Sequence, residues 1–227
     1  MNLVFIHGAG SSSTVWRAQR RYFSKEYSVT LIDLPGHGLT PGKGRDTIKD
    51  YVEDVRAHIK GLKDILLIGH SMGGAITMSY ALQYPVKACV LAGTGAKLRV
   101  FPAVLEQIKN NFEETADFIL EYAIYNKTEQ IMKQSKKEML KISPEVMYKD
   151  FLACDTFDVM QEIQKLTIPT VIICGEQDML TPLKYSQYLA EKIQLSKLEI
   201  IKDCGHMLML ETPQKFNQII EKFLQVM

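Results

Sequence analysis

The stretch Ile65-Leu66-Leu67-Ile68-Gly69-His70-Ser71-Met72-Gly73-Gly74 decides how this chain folds. Its first four residues form an apolar run of strand length, and residues 72–83 after it repeat apolar positions at helical spacing. Between the two stands Gly-x-Ser-x-Gly. A strand that turns this sharply into a helix leaves the turn residue in a strained backbone conformation, with its side chain projecting above the sheet. Glycines two residues to either side remove Cβ atoms from the tightest contacts. The helix N-terminus behind the serine offers N–H groups and the positive end of a dipole to a developing oxyanion. Ser71 is therefore the candidate nucleophile.

The same alternation runs outward in both directions. Residues 3–6, 28–32, 87–91, 170–174 and 198–201 are further short apolar runs, and their near-continuous apolar character suits parallel strands covered on both faces. Residues 47–61, 182–193 and 213–226 carry helical periodicity between or after them. Strand alternating with helix implies an α/β fold, a doubly wound, mostly parallel sheet of about six strands. One segment breaks the pattern. Residues 97–165 hold helical patterns rich in Met, Tyr, Phe and Lys but no convincing strand. The chain thus divides into a core of residues 1–96 and 166–227 and a helical cap, or lid, of residues 97–165. The alternative is an enlarged crossover layer with no part in substrate choice.

Composition narrows the function. With 227 residues, 46% of them hydrophobic, the chain can bury one sizeable core. Its 27 basic and 26 acidic residues nearly balance, which favours neither nucleic acid nor an anionic membrane as a partner. The opening Met1-Asn2-Leu3-Val4-Phe5-Ile6-His7-Gly8 has no basic leader, and its apolar run is too short for a signal-peptide core. No stretch approaches the roughly 18 apolar residues of a membrane span. The expectation is a soluble cytoplasmic protein. Cys89, Cys154, Cys174 and Cys204 are far apart without a CxxC, so neither a disulfide framework nor a zinc site is expected.

A serine hydroxyl needs a base and an orienter for that base. Serine sites built on a strand–turn–helix elbow take an acid and then a histidine from later in the chain. Gly175-Glu176-Gln177-Asp178 follows the run at 170–174, and Asp203-Cys204-Gly205-His206 follows that at 198–201. Asp178 and His206 therefore fall in loops at the same sheet edge as Ser71, where such folds keep their sites. Each also has a plainer role: Asp178 can cap the helix near Pro182, and His206 can be an ordinary loop histidine. Asp155 and Asp158 in the cap and Asp203 beside the histidine are rival acids. For the oxyanion, the backbone amides of Met72 and Ala9 are the candidate donors, the latter in His7-Gly8-Ala9-Gly10.

That last loop also imitates a dinucleotide fingerprint, with Asp33 beyond the next strand. Ser13 occupies the third glycine position, however, and a lone imperfect match is weak. His37, in Asp33-Leu34-Pro35-Gly36-His37-Gly38, reads as structural, and no cluster of metal-ligating residues is apparent.

Taken together, these blocks resemble the α/β-hydrolase superfamily along nearly the whole chain. The likeness is greatest to its small, lid-bearing bacterial members: carboxylesterases, enol-lactonases and carbon–carbon bond hydrolases. The N-terminal hairpin usual in the family is not expected ahead of the run at residues 3–6, and serine at position 71 argues against branches with an aspartate nucleophile. The resemblance implies a serine hydrolase of the carboxylesterase kind, working without cofactor or metal on a small-molecule ester. Thioester, lactone and carbon–carbon cleavage remain alternatives, as does a ligand-sensing signalling protein with slow hydrolysis. Among Phe101, Leu105, Phe112, Phe118, Tyr122, Tyr125, Met132, Met139, Met147 and Tyr148 of the cap, some are expected to line an apolar pocket. Helical spacing implies that most only pack cap helices onto the core.

Overall fold

A computed structural model describes residues 1–227. The apolar runs form six strands: β1 (Asn2–Ile6), β2 (Ser28–Ile32), β3 (Ile65–His70), β4 (Ala88–Ala92), β5 (Thr170–Gly175) and β6 (Ser196–Ile201). They make one sheet in the order β2-β1-β3-β4-β5-β6, and every neighbouring pair is parallel. Strands β3, β4 and β5 are buried along their entire length, whereas the edge strands β2 and β6 are only partly covered. This is the α/β-hydrolase fold.

Alternate residues of the inner strands feed two cores. Val4, Ile6, Ile65 and Leu67 point to one face, packed by α2 (Ile48–His58), α3 (Met72–Ala81) and α8 (Leu183–Lys192). Leu3, Phe5, Leu66 and Ile68 point to the other, packed by α1 (Arg17–Phe23), α9 (Leu208–Glu211) and α10 (Pro213–Val226). Between β4 and β5 stand four further helices: α4 (Pro102–Asn110), α5 (Phe112–Ala123), α6 (Glu129–Met139) and α7 (Pro144–Thr156). They share a third apolar cluster containing Ile108, Ile119, Leu120, Met139 and Met147. No helix is long and apolar enough to cross a membrane.

The strand order sets where chemistry can occur. From β1 the chain first adds β2 on one side and then β3 on the other. The loops after β1 and β3 therefore diverge at a topological switch point, which leaves a crevice at the C-terminal edge of the sheet. Ile6 pairs with Gly69 at that edge, so Ala9 and Ser71 are brought to the same crevice.

Candidate active site

Ser71 sits between the last residue of β3 and the first of α3, at φ 53° and ψ −117°. A non-glycine residue in this region is strained and persists only where its surroundings overdetermine it. Here the Ser71 amide donates to the Ala92 carbonyl at 2.9 Å, and the Ser71 carbonyl accepts from Thr94 Oγ1 at 2.9 Å and from the Gly74 amide at 2.8 Å. The flanking glycines allow this turn. A Cβ on Gly69 would lie 2.1 Å from the Gly73 carbonyl oxygen, and one on Gly73 would lie 2.3 Å from that of Ile6.

The two later loops meet beside it. His206 Nδ1 lies 2.9 Å from Asp178 Oδ2, with both side chains almost wholly buried. A carboxylate only accepts, so Nδ1 carries the proton of this bond and Nε2 is left for the cavity side. Asp178 uses its other oxygen for the turn, accepting from the amides of Leu180 at 2.9 Å and Thr181 at 2.8 Å. The local turn role and the contact to His206 thus coexist, one per oxygen. Burial works to raise the Asp178 pKa, but the charge and hydrogen bond of His206 and the bonds from Thr181 outweigh it and hold the carboxyl below its ordinary value.

Two partners escaped the sequence reading. Thr181 Oγ1 donates to Asp178 Oδ2 at 2.8 Å and lies 3.2 Å from His206 Nδ1. Its position three residues after Asp178 was a usable signal. His70 Nε2 donates to the His206 carbonyl at 2.9 Å, and the two rings stand 4.6 Å apart. Two rival acids are engaged elsewhere, Asp155 accepting from the Val100 amide and Asp158 pairing with Lys97, and the third, Asp203, is exposed.

Ser71, His206 and Ala9 all line one cavity of about 770 Å³, and 19 of its 35 lining residues are hydrophobic. That size suits a small or medium organic ligand. Asp178 lies behind His206, out of the cavity, and the Met72 side chain is fully buried while its amide opens α3. Of the ten apolar candidates between β4 and β5, only Phe101, Phe118, Tyr122 and Met139 reach the cavity. A second hollow, bounded by Lys43, Arg45, Asp50, Glu53 and Asp54, has no hydrophobic lining and no candidate nucleophile.

A model of the Alpha/beta hydrolase family matches residues 3–219. The chain belongs to this family. It is similar to a solved thermophilic esterase at 34% identity and a TM-score of 0.87, covering 98% of this chain and 89% of that one. It is 26% identical to a monoacylglycerol lipase of Bos taurus over 98% of this chain and 75% of the relative. It is 27% identical to a 2-hydroxy-6-oxo-6-phenylhexa-2,4-dienoate hydrolase of Comamonas testosteroni, over 98% of this chain and 87% of the relative. The protein is a hydrolase with esterase- and lipase-like neighbours.

The dinucleotide reading does not fit this hydrolase. Asp33 accepts from the Ser13 amide at 2.7 Å and the Leu39 amide at 3.1 Å, so its carboxylate ties two loops together. No group of three or more His, Cys, Asp or Glu side chains is arranged to hold a metal ion. All four cysteines are free and buried, and burial pushes their thiols above the ordinary value.

Two buried histidines of the hydrolase make its stability pH-dependent. His7 donates from Nδ1 to the Gly8 carbonyl at 2.9 Å and accepts at Nε2 from the Leu34 amide at 3.1 Å, which requires the neutral ring. Burial and the neighbouring His37 lower its pKa to about 4, and burial with His206 lowers that of His70 to about 3. Both values lie below the unfolded one, so the unfolded chain takes up these protons first. Stability is then full above about pH 6.5 and falls as pH drops toward the folded values, by up to ~1.4 kcal/mol per pH unit for each group. Urea midpoints measured from neutral pH down to pH ~4.5 should fall steeply, and less steeply in His70→Gln. Equal slopes in both proteins would refute the assignment to His70.

Proposed function

We propose that the protein hydrolyses small to medium carboxylic esters through an acyl-enzyme on Ser71. His206 serves as general base and acid, Asp178 as its orienter, and the amides of Met72 and Ala9 as oxyanion donors. The observation that carries this reading is the 2.9 Å bond from His206 to a buried Asp178, beside a strained Ser71 that faces the same cavity. Ser71 Oγ attacks the ester carbonyl as His206 Nε2 takes its proton, and Asp178 stabilises the imidazolium that forms. The carbonyl oxygen gains negative charge between the two amides, each worth on the order of 10²-fold or more in turnover. The imidazolium then protonates the departing alcohol. Water repeats the cycle and releases the acid.

Residues 97–165 act as a cap on the core of residues 1–96 and 166–227. Phe101, Phe118, Tyr122 and Met139 from this segment line the cavity, which favours an apolar acyl or alcohol group. The kinship with an esterase and a monoacylglycerol lipase supports an ester as the bond cleaved. Four unpaired buried thiols suit a reducing, cytoplasmic setting.

The test is steady-state hydrolysis of p-nitrophenyl esters from acetate to laurate. Rapid turnover with an optimum among the short and medium chains is expected. Failure to turn over any of them, alongside rapid cleavage of a thioester, a lactone or a vinylogous diketone, would replace the ester by that bond. Saturable binding of an ester with negligible turnover on all substrates would make the protein a ligand sensor.

A further inference from the structure

Asp150 is a fully buried carboxylate in the middle of α7, within the segment between β4 and β5. Its oxygens reach three separate parts of the core. Oδ2 accepts from the Gly10 amide at 2.9 Å and from His37 Nε2 at 2.8 Å, and Oδ1 accepts from the Tyr51 hydroxyl. His37 Nδ1 faces the Pro35 carbonyl at 3.1 Å, so both ring nitrogens meet acceptors and both must donate. Burial works to lower the His37 pKa, but the charge and hydrogen bond of Asp150 outweigh it and raise it. A buried carboxylate is retained only where it is paired and fully hydrogen-bonded, and this one is.

The loop that Asp150 grips contains Ala9. A peptide unit is planar and trans, so the Gly8 carbonyl and the Ala9 amide point in opposite directions from one plane. His7 Nδ1 holds that carbonyl at 2.9 Å and thereby aims the Ala9 N–H. The peptide unit on the other side of Ala9 is held in turn by Asp150 through the Gly10 N–H. Gly10 has φ +62°, a left-handed turn that leaves the loop with no regular secondary-structure hydrogen bonding to fix it. The His7 and His37 rings stand 4.8 Å apart, so the two clamps also pack against each other.

We propose that Asp150 is a positioning residue, one that sets the Ala9 oxyanion donor through the Gly10 amide and so makes that donor depend on the seating of α7. This rests on the esterase reading above. The same segment also grips the other side of the site, since the Ala123 carbonyl at the end of α5 accepts from the His206 amide at 2.8 Å. The helices between β4 and β5 are thus part of the scaffold of the site as well as a wall of its cavity.

The experiment compares Asp150→Ala, Asp150→Asn and Tyr51→Phe on the full chain. Removing the acceptor in Asp150→Ala is expected to lower kcat on the order of 10- to 100-fold, less than deletion of an oxyanion donor. KM should stay within about threefold, and affinity for a trifluoromethyl ketone, whose serine adduct bears the oxyanion, should fall in parallel with kcat. Asp150→Asn keeps an acceptor for Gly10 and should recover most of the rate. Tyr51→Phe loses the Oδ1 bond and the bond from the Arg45 amide but leaves Oδ2 on Gly10 untouched, and should lose stability while keeping kcat. Should Asp150→Ala not fold, Asp150→Ser, polar but too short to reach Gly10, is expected to show the same loss of kcat. Wild-type kcat in Asp150→Ala or Asp150→Ser overturns the proposal. So does an equal loss in Tyr51→Phe, which would mark a stability effect alone. If Ser71→Ala retains activity, the esterase reading fails instead; if Ser71→Ala is dead and the Asp150 variants are unimpaired, only this inference falls.

Discussion

Replacing Ser71 by alanine is expected to lower kcat for ester hydrolysis by on the order of 10⁵- to 10⁶-fold, with little change in KM. The reason is that the hydroxyl contributes a bond made only on the way to the transition state, while the cavity walls that bind the substrate are untouched. The backbone at position 71 is held by Ala92, Thr94 and Gly74 rather than by its side chain, so the variant should keep its fold. A second substitution, His206→Ala, should then cost almost nothing more, because a base without its nucleophile has no proton to take. Active-site titration with a fluorophosphonate should fail for the single variant and succeed for the wild type. Residual activity above about one-hundredth of wild type in clean preparations of Ser71→Ala would rule out Ser71 as the nucleophile.

Gly73→Ala should have its main effect on stability. The added Cβ would lie 2.3 Å from the Ile6 carbonyl oxygen and 2.6 Å from that of His7, both backbone atoms of the inner strand β1 and its exit. A side chain could swing away; a strand bonded on both edges cannot do so without loosening its pairing with β2 and β3. Overpacking of this kind costs about 3 kcal/mol or more. For a chain of this size that is ~6–12 °C in Tm. The shift would also carry the loop of Ala9 away from Ser71, so kcat should fall in the protein that remains folded. A loss under about 1 kcal/mol would show that β1 and α3 separate more easily than their contact implies.

Much of this architecture is written locally in the chain. Each inner strand is a near-continuous apolar run because both of its faces are covered, and that pattern needs no knowledge of its neighbours. Ser71 is legible because its elbow must be built from residues within two positions of it. Asp178 and His206 are legible because each stands a few residues beyond a strand end, at the edge where a parallel sheet gathers its loops. The strand bounds differ from the pattern by only a residue or two, since pairing with neighbours extends β3 to His70 and β6 back to Ser196. Hydropathy alone does not register that pairing.

What no local pattern carries is the choice of partner. Asp150 lies 140 positions from Gly10 and 113 from His37, and a lone aspartate inside a helix has the look of a solvent-facing residue. Its burial is decided when α7 docks on the loops after β1 and β2, a contact with no short-range signature. The same holds for the apolar residues between β4 and β5. Helical spacing marks ten of them alike, yet only Phe101, Phe118, Tyr122 and Met139 face the cavity, because the way four helices pack around one another selects which side each presents. The chain dictates its elements and the loops that bear Ser71, Asp178 and His206, since hydropathy period and turn chemistry act over a few residues. The pairing of buried charges and the shape of the cavity are settled only when distant segments close-pack, where one rotation of a helix exchanges a lining residue for a buried one.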